Sequence, residues 1–325
     1  MAGAYFLARG SLAPQVAQAS TESALLQAIA TRDSTGDGLP DWEKTLYGIP
    51  LTATTTDYFH LGMTDGEAVA KGLIVPKALA DVPVATSTQS ASTVAGGPAA
   101  AASGSLTDVF AKNFFTLYLS AKEGNNGTAL SQDQLSSIAT QAFQMLAGSV
   151  APAPDFKQAS DLTVSGSGSD ALTQYADNAA GIFEKFNAHL PKSELEYLQG
   201  SVMSGDTSAS AQLTTIAQSY EETAAGLSAL PVPQEAATAD LALVNATARL
   251  GSITEDFSHV DTDPLSAMLA LQQYPSAVQG LAAAFQSLAV VYQSAHVTLD
   301  QSHPGAALLT VLQSIATTST ATTTP

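Results

Sequence analysis

The chain has no cysteine. Disulfides, thiolate zinc sites and a cysteine nucleophile are therefore excluded. Eukaryotic secreted modules usually carry disulfides, so the absence favours a bacterial source. Basic residues are scarce: 11 Lys and Arg stand against 29 Asp and Glu, a net charge of −18. Such a chain is repelled by nucleic acid and by anionic membrane surfaces, and neither is expected as a partner. All charged residues together make up only 12%, about half the usual share. Ala, Ser and Thr fill the gap, and a hydrophobic content of 45% still suffices for a core. The apolar start, Met1 to Ala8, is far too short to span a bilayer and lacks a basic leader. It reads as a plain terminus or as the end of an apolar membrane anchor that begins upstream.

Recognisable catalytic patterns are missing as well. There is no G-x-S-x-G elbow, and Ser165-Gly166-Ser167-Gly168 has no lysine to make it a phosphate loop. His60, His189, His259, His296 and His303 form no HExxH or HxH. They read as helix-end or surface residues, with His189 and His259 near helix C-termini, where a cation is favoured. Glu221-Glu222 and Glu255-Asp256 read as solvated helix faces rather than a catalytic pair. Asn126-Gly127-Thr128 and Asn245-Ala246-Thr247 match the glycosylation sequon, which is common by chance.

The periodicity that is present is helical. Leu25, Leu26 and Ile29 share one face of a short helix over 21–31. A short helix around 42–47 is stopped by Gly48-Ile49-Pro50, and another opens at Asp65-Gly66-Glu67. Residues 82–105 hold no large apolar side chain beyond valine and read as a disordered Ser/Thr/Ala linker. Beyond it, Phe110, Phe114, Leu117 and Tyr118 recur at helical spacing, and Ser131 with Gln134 forms a capping box. Further helices are expected near 172–190, 193–203, 209–227 and 234–257, then one opening at 264 that Pro275 interrupts or kinks, its continuation over 277–295, and a last one at 304–315. A short strand is expected at 161–165, and the Pro231/Pro233 pair breaks the chain. Phe110, Phe114, Phe143, Phe183, Phe186 and Leu243 are expected in the core. The chain thus divides into an N-terminal segment (1–20), a loop module with short helices (21–81), a linker (82–105), a helical domain (106–316) and a disordered tail (317–325). The fold class is mainly α: an irregular helical bundle preceded by a small loop module and a flexible linker.

One stretch carries chemistry. In Asp33-Ser34-Thr35-Gly36-Asp37-Gly38-Leu39-Pro40-Asp41-Trp42-Glu43, aspartates fall at positions 1, 5 and 9, with glycine at position 6. Alternating oxygens wrapped round a hard cation, with glycine at the sharp turn, are the grammar of an EF-hand-type calcium loop. The expected ligands for Ca2+ are the side chains of Asp33, Thr35, Asp37 and Asp41 and the Leu39 carbonyl. Position 12, normally a bidentate acid, is Lys44, so Glu43 would have to reach in from position 11. A reading without metal is also open: Asp37-Gly38 turns the chain, Asp41 caps the helix at Trp42, and Glu43 favours its positive end.

This loop resembles the thrombospondin type 3 repeat, whose pattern is close to D-x-D-x-D-G-x-x-D-x-x-E. A second unit, Asp57, Gly62, Asp65 and Glu67, lies 24 residues after Asp33, Gly38, Asp41 and Glu43, with Phe59 and Leu61 at its positions 3 and 5. The resemblance covers about residues 33–72. Together with the linker and helical region, it extends to bacterial cell-envelope proteins with a C-terminal helical domain. It implies calcium binding, an extracellular or cell-envelope location and an unidentified surface partner, and it implies no enzymatic activity. Two other functions stay open: an envelope hydrolase acting through acidic residues, and a helical binding protein for a small ligand.

Overall fold

The structure, a computed structural model, describes residues 15–75, 130–149, 154–188 and 191–312, with helical positions scattered between 110 and 124. The linker at 82–105, the tail at 317–325, His189 and the sequon at Asn126 lie outside the described residues. So does most of the N-terminal segment.

The protein is mainly α-helical. The loop module holds α1 (Gln15–Thr31), the single turn α2 (Asp41–Lys44) that runs on as a 3-10 turn (Thr45–Tyr47), and α3 (Asp65–Ala70). The bundle holds α4 (Gln132–Ser149), α5 (Gly168–Lys185), α6 (Glu194–Ser204), α7 (Ala209–Ser228), α8 (Ala237–Ser258) and α9 (Pro264–Ser294). A final helical stretch spans 305–312. Helix α8 packs chiefly against α7 and α9. Their shared face carries Leu243, Val244, Ile253, Phe257, Leu271 and Tyr274, all buried.

Local signals explain the starts. Ser131 and Gln134 exchange capping hydrogen bonds before α4, and Ser193 and Glu196 do the same at α6. Asp263 accepts from the Ser266 N–H, and Pro264 opens α9 at a position where its missing N–H costs nothing. Pro275 does not end α9, which is continuous through it to Ser294.

Several features differ from the sequence reading, among them Asp256, expected on a solvated helix face, whose Oδ2 is buried. The Pro231/Pro233 segment is not only a break: Pro231–Val232 pairs in parallel with Thr163–Val164, and the Ser165 N–H donates to the Val232 carbonyl at 2.8 Å. Phe186 caps α5 and is half-buried, whereas Phe110, Phe114, Phe143, Phe183 and Leu243 are buried as expected.

The loop module lies against the bundle. Helix α1 contacts α6 and α9, and α2 contacts α9. Leu25, Ile29, Leu39, Leu46, Tyr47 and Ile49 are buried in the same hydrophobic cluster as the bundle core. Arg32 closes the seam with an ion pair to Asp261 at 2.6 Å.

Candidate functional site: the aspartate loop

The loop is built from its first residue outward. The Asp33 carboxylate accepts from the backbone N–H groups of Gly36, Asp37 and Gly38, at 2.8–3.3 Å. Asp41 accepts from the Ser34 N–H and hydroxyl through Oδ1, and its own N–H donates to the Arg32 carbonyl at 2.7 Å. Asp37 is fully buried, and its Oδ1 accepts from the Leu39 N–H. Gly36 and Gly38 hold φ of 68° and 85°, a left-handed backbone that glycine adopts without penalty. The Leu39 side chain anchors the loop in the core.

The same construction recurs 24 residues on. Asp57 accepts from the N–H groups of Leu61 and Gly62, as Asp33 does from Asp37 and Gly38. Asp65 accepts from the Tyr58 N–H, as Asp41 does from Ser34. The Asp65 N–H donates to Thr56, as Asp41 does to Arg32. Gly62 repeats the positive φ of Gly38, and His60 takes the left-handed place of Gly36, at φ 57°. The two units touch at their backbones. Gly66 N–H donates to the Asp37 carbonyl at 2.8 Å, and a Cβ at Gly66 would lie 2.7 Å from the Gly38 carbonyl.

Of the expected ligands, Asp33, Thr35, Asp37 and Asp41 do converge, and they converge on Lys44. Its Nζ lies 2.7 Å from Thr35 Oγ1, 3.0 Å from Asp41 Oδ1, 3.3 Å from Asp33 Oδ1 and 3.5 Å from Asp37 Oδ2. The lysine side chain is 1% exposed. Burial alone would depress its pKa, but Asp41, Asp37 and Asp33 outweigh that and hold it above the ordinary lysine value. At Asp33 burial works toward protonation, while the Gly38 N–H and Lys44 prevail and keep its carboxyl below the usual range.

Glu43 does not join this group. It is fully buried, its two carboxylate oxygens have no hydrogen-bond partner among the described residues, and burial lifts its pKa to about 7. The Tyr47 hydroxyl is likewise buried without a partner, its pKa pushed up by burial and by the neighbouring Glu43.

With Lys44 in place these residues do not fit a calcium ion. Ca2+ takes six to eight oxygens at about 2.3–2.6 Å. The space between the four converging side chains is held by an ammonium group, so ion and lysine would compete for one position. Among the described residues no group of three or more His, Asp or Glu is arranged to hold a metal. Lys44 is the residue sequence reasoning missed. The signal was present, since a lysine at a ligand position has the reach and the charge to fill the centre it faces.

Elsewhere the buried acids are tied to neighbouring helices. Tyr175 donates to Asp240 at 2.5 Å and Tyr220 to Glu194 at 2.6 Å. The Ser266 hydroxyl donates to Asp256. Burial, with the Tyr175 bond opposing it, lifts Asp240 to about 6. Burial, reinforced by Asp263 and Glu255 against the Ser266 bond, lifts Asp256 to about 7. A groove of about 540 Å³ on α8 and α9 is open to solvent and lined partly by Asp155, Asn245 and Arg249. Asn245 is engaged there in both directions with the Lys157 backbone. Among the described residues no helix is long and apolar enough to cross a membrane. Comparison with protein-family models, curated proteins and solved structures finds no match to this chain.

Proposed function

We propose that the protein is a non-enzymatic component of the cell envelope or extracellular space, in which the double-loop module is a rigid brace fixed to a helical interaction domain. The partner in this reading is another envelope or surface protein. The observation that carries it is the shared core. Leu39, Leu46, Tyr47 and Ile49 of the module are buried in one cluster with the bundle, and Trp42 packs edge-on against Phe110 with ring centres 5.3 Å apart. A spacer free to swing would keep those side chains to itself. The location rests on the resemblance of the paired loops to calcium-loop repeats of surface proteins and on the excess of acid.

The test of the brace uses the only tryptophan, Trp42, which reports on the module while far-ultraviolet circular dichroism reports on the helices. In urea the two signals should change together, as expected of one cooperative unit. Separate transitions would remove the brace. Labelling of intact cells with a membrane-impermeant reagent tests the location, and protection of the protein until lysis would remove that half.

A further inference from the structure

We infer that Lys44 is the resident cation of the aspartate loop, so that the module folds without calcium. Three observations lead there. The lysine stands at position 12 of the repeat, where a calcium loop has its bidentate acid, and its side chain points into the same centre that acid would serve. Its Nζ is within 3.5 Å of side-chain oxygens from positions 1, 3, 5 and 9. Arg32 adds a second cation at the rim, 3.6 Å from Asp41 Oδ2. Three carboxylates therefore meet two fixed positive charges, and a divalent ion would have to displace a buried ammonium from its four oxygen partners.

The second unit supports this independently. It keeps the aspartates at positions 1 and 9, whose carboxylates receive backbone N–H groups in both units. It has lost the polar residues at positions 3 and 5, which are Phe59 and Leu61, and its position 12 is Ala68. Where the Thr35 hydroxyl and the Asp37 carboxylate have no counterpart, the lysine has none either, and the loop still closes by the same hydrogen bonds. The fold of a unit is thus set by positions 1, 6 and 9. Positions 3, 5 and 12 change together, from Thr35, Asp37 and Lys44 in the first unit to Phe59, Leu61 and Ala68 in the second.

The experiment uses the full chain. Calcium at about 10 mM, ten times the weakest dissociation constant of roughly 10⁻³ M for extracellular modules, should give no calorimetric heat, no change in Trp42 emission and no shift in Tm. EDTA should be equally silent. In reductive methylation followed by mass spectrometry, Lys44 should stay unmodified while the exposed Lys71 reacts, with or without calcium. Lys44→Glu restores the acid at position 12 and should make the module calcium-dependent, with a Tm raised by roughly 5 °C or more when calcium is added. Calcium binding by the natural chain, or methylation of Lys44 at the rate of Lys71, would overturn the inference. Should Lys44→Glu fail to fold, the methylation and calcium arms on the natural chain still decide it. The inference stands apart from the brace: calcium binding here would leave the coupled unfolding of module and bundle untouched.

Discussion

At the residue scale, Phe183 and Phe186 separate what a helical pattern shows from what it does not. Both were expected in the core from their spacing along α5. Phe183 is 4% exposed and its ring centre lies 5.9 Å from that of Phe285 on α9. Phe186 sits at the C-cap, half-buried, where the chain has already left helical geometry. Periodicity fixes a face only while the helix lasts. Phe183→Ala should therefore lower stability by about 3–5 kcal/mol, as for a core aromatic whose cavity cannot collapse. Phe186→Ala should cost clearly less, and denaturant midpoints for the two variants check the order. Equal losses would show that the C-cap ring is as deeply packed as the other.

Lys44 shows a different limit of reading at the same scale. Pattern matching scores a lysine at an acid position as a lost ligand. The physical content of that position is a charge on a reach of several bonds, and lysine supplies both, with the sign of the ion rather than of the ligand. Glu43, in turn, is expected from the sequence to reach into the loop as a ligand from position 11, and a sequence does not show that α2 turns its carboxylate into the core.

At the element scale, helix bounds were largely legible because caps and prolines mark them locally. Ser131, Ser193 and Asp263 each start a helix within a residue of where the sequence places them. The parallel pairing of 163–164 with 231–232 was not legible, since it joins residues 68 positions apart and one partner is proline-rich. Contact between the two loop units was hidden for the same reason: it depends on where two turns land in space. Gly66 is the point of contact. Gly66→Ala would put a Cβ 2.7 Å from the Gly38 carbonyl, and backbone on both sides leaves no flexible side chain to yield. A loss of roughly 1–3 kcal/mol is expected, in the range of overpacking, with a red-shifted Trp42 emission as the module parts. Gly124→Ala, at a glycine with open space around it, is the control and should lack that emission change. An unaltered midpoint for Gly66→Ala would mean that the two units are not interlocked.

At the scale of the whole molecule, the buried acids set how stability follows pH. Glu43 and Asp256 are lifted to about 7 and Asp240 to about 6, burial being the leading cause for each. Their folded-state pKa values lie above the unfolded ones, so folding takes up protons in this range. The resulting stability is fully present below the ordinary carboxylate range and is lost as pH rises through about 6 to 7. His303, paired with Asp177 at 2.9 Å and raised by that bond, loses its contribution in the same direction. Asp33 has the opposite sign, and its contribution is lost only in acid. Acid therefore weakens the loop while neutral pH weakens the core, and the optimum should fall at mildly acidic pH. For Glu43 alone the shift corresponds to on the order of 3 kcal/mol between about pH 4 and pH 8. Glu43→Gln should flatten that slope and leave the variant more stable than the natural chain at pH 8. Guanidinium midpoints measured across this range read both effects. A natural chain whose stability climbs steadily from pH 5 to pH 8 would mean that Glu43 is ionised and paired in the folded protein.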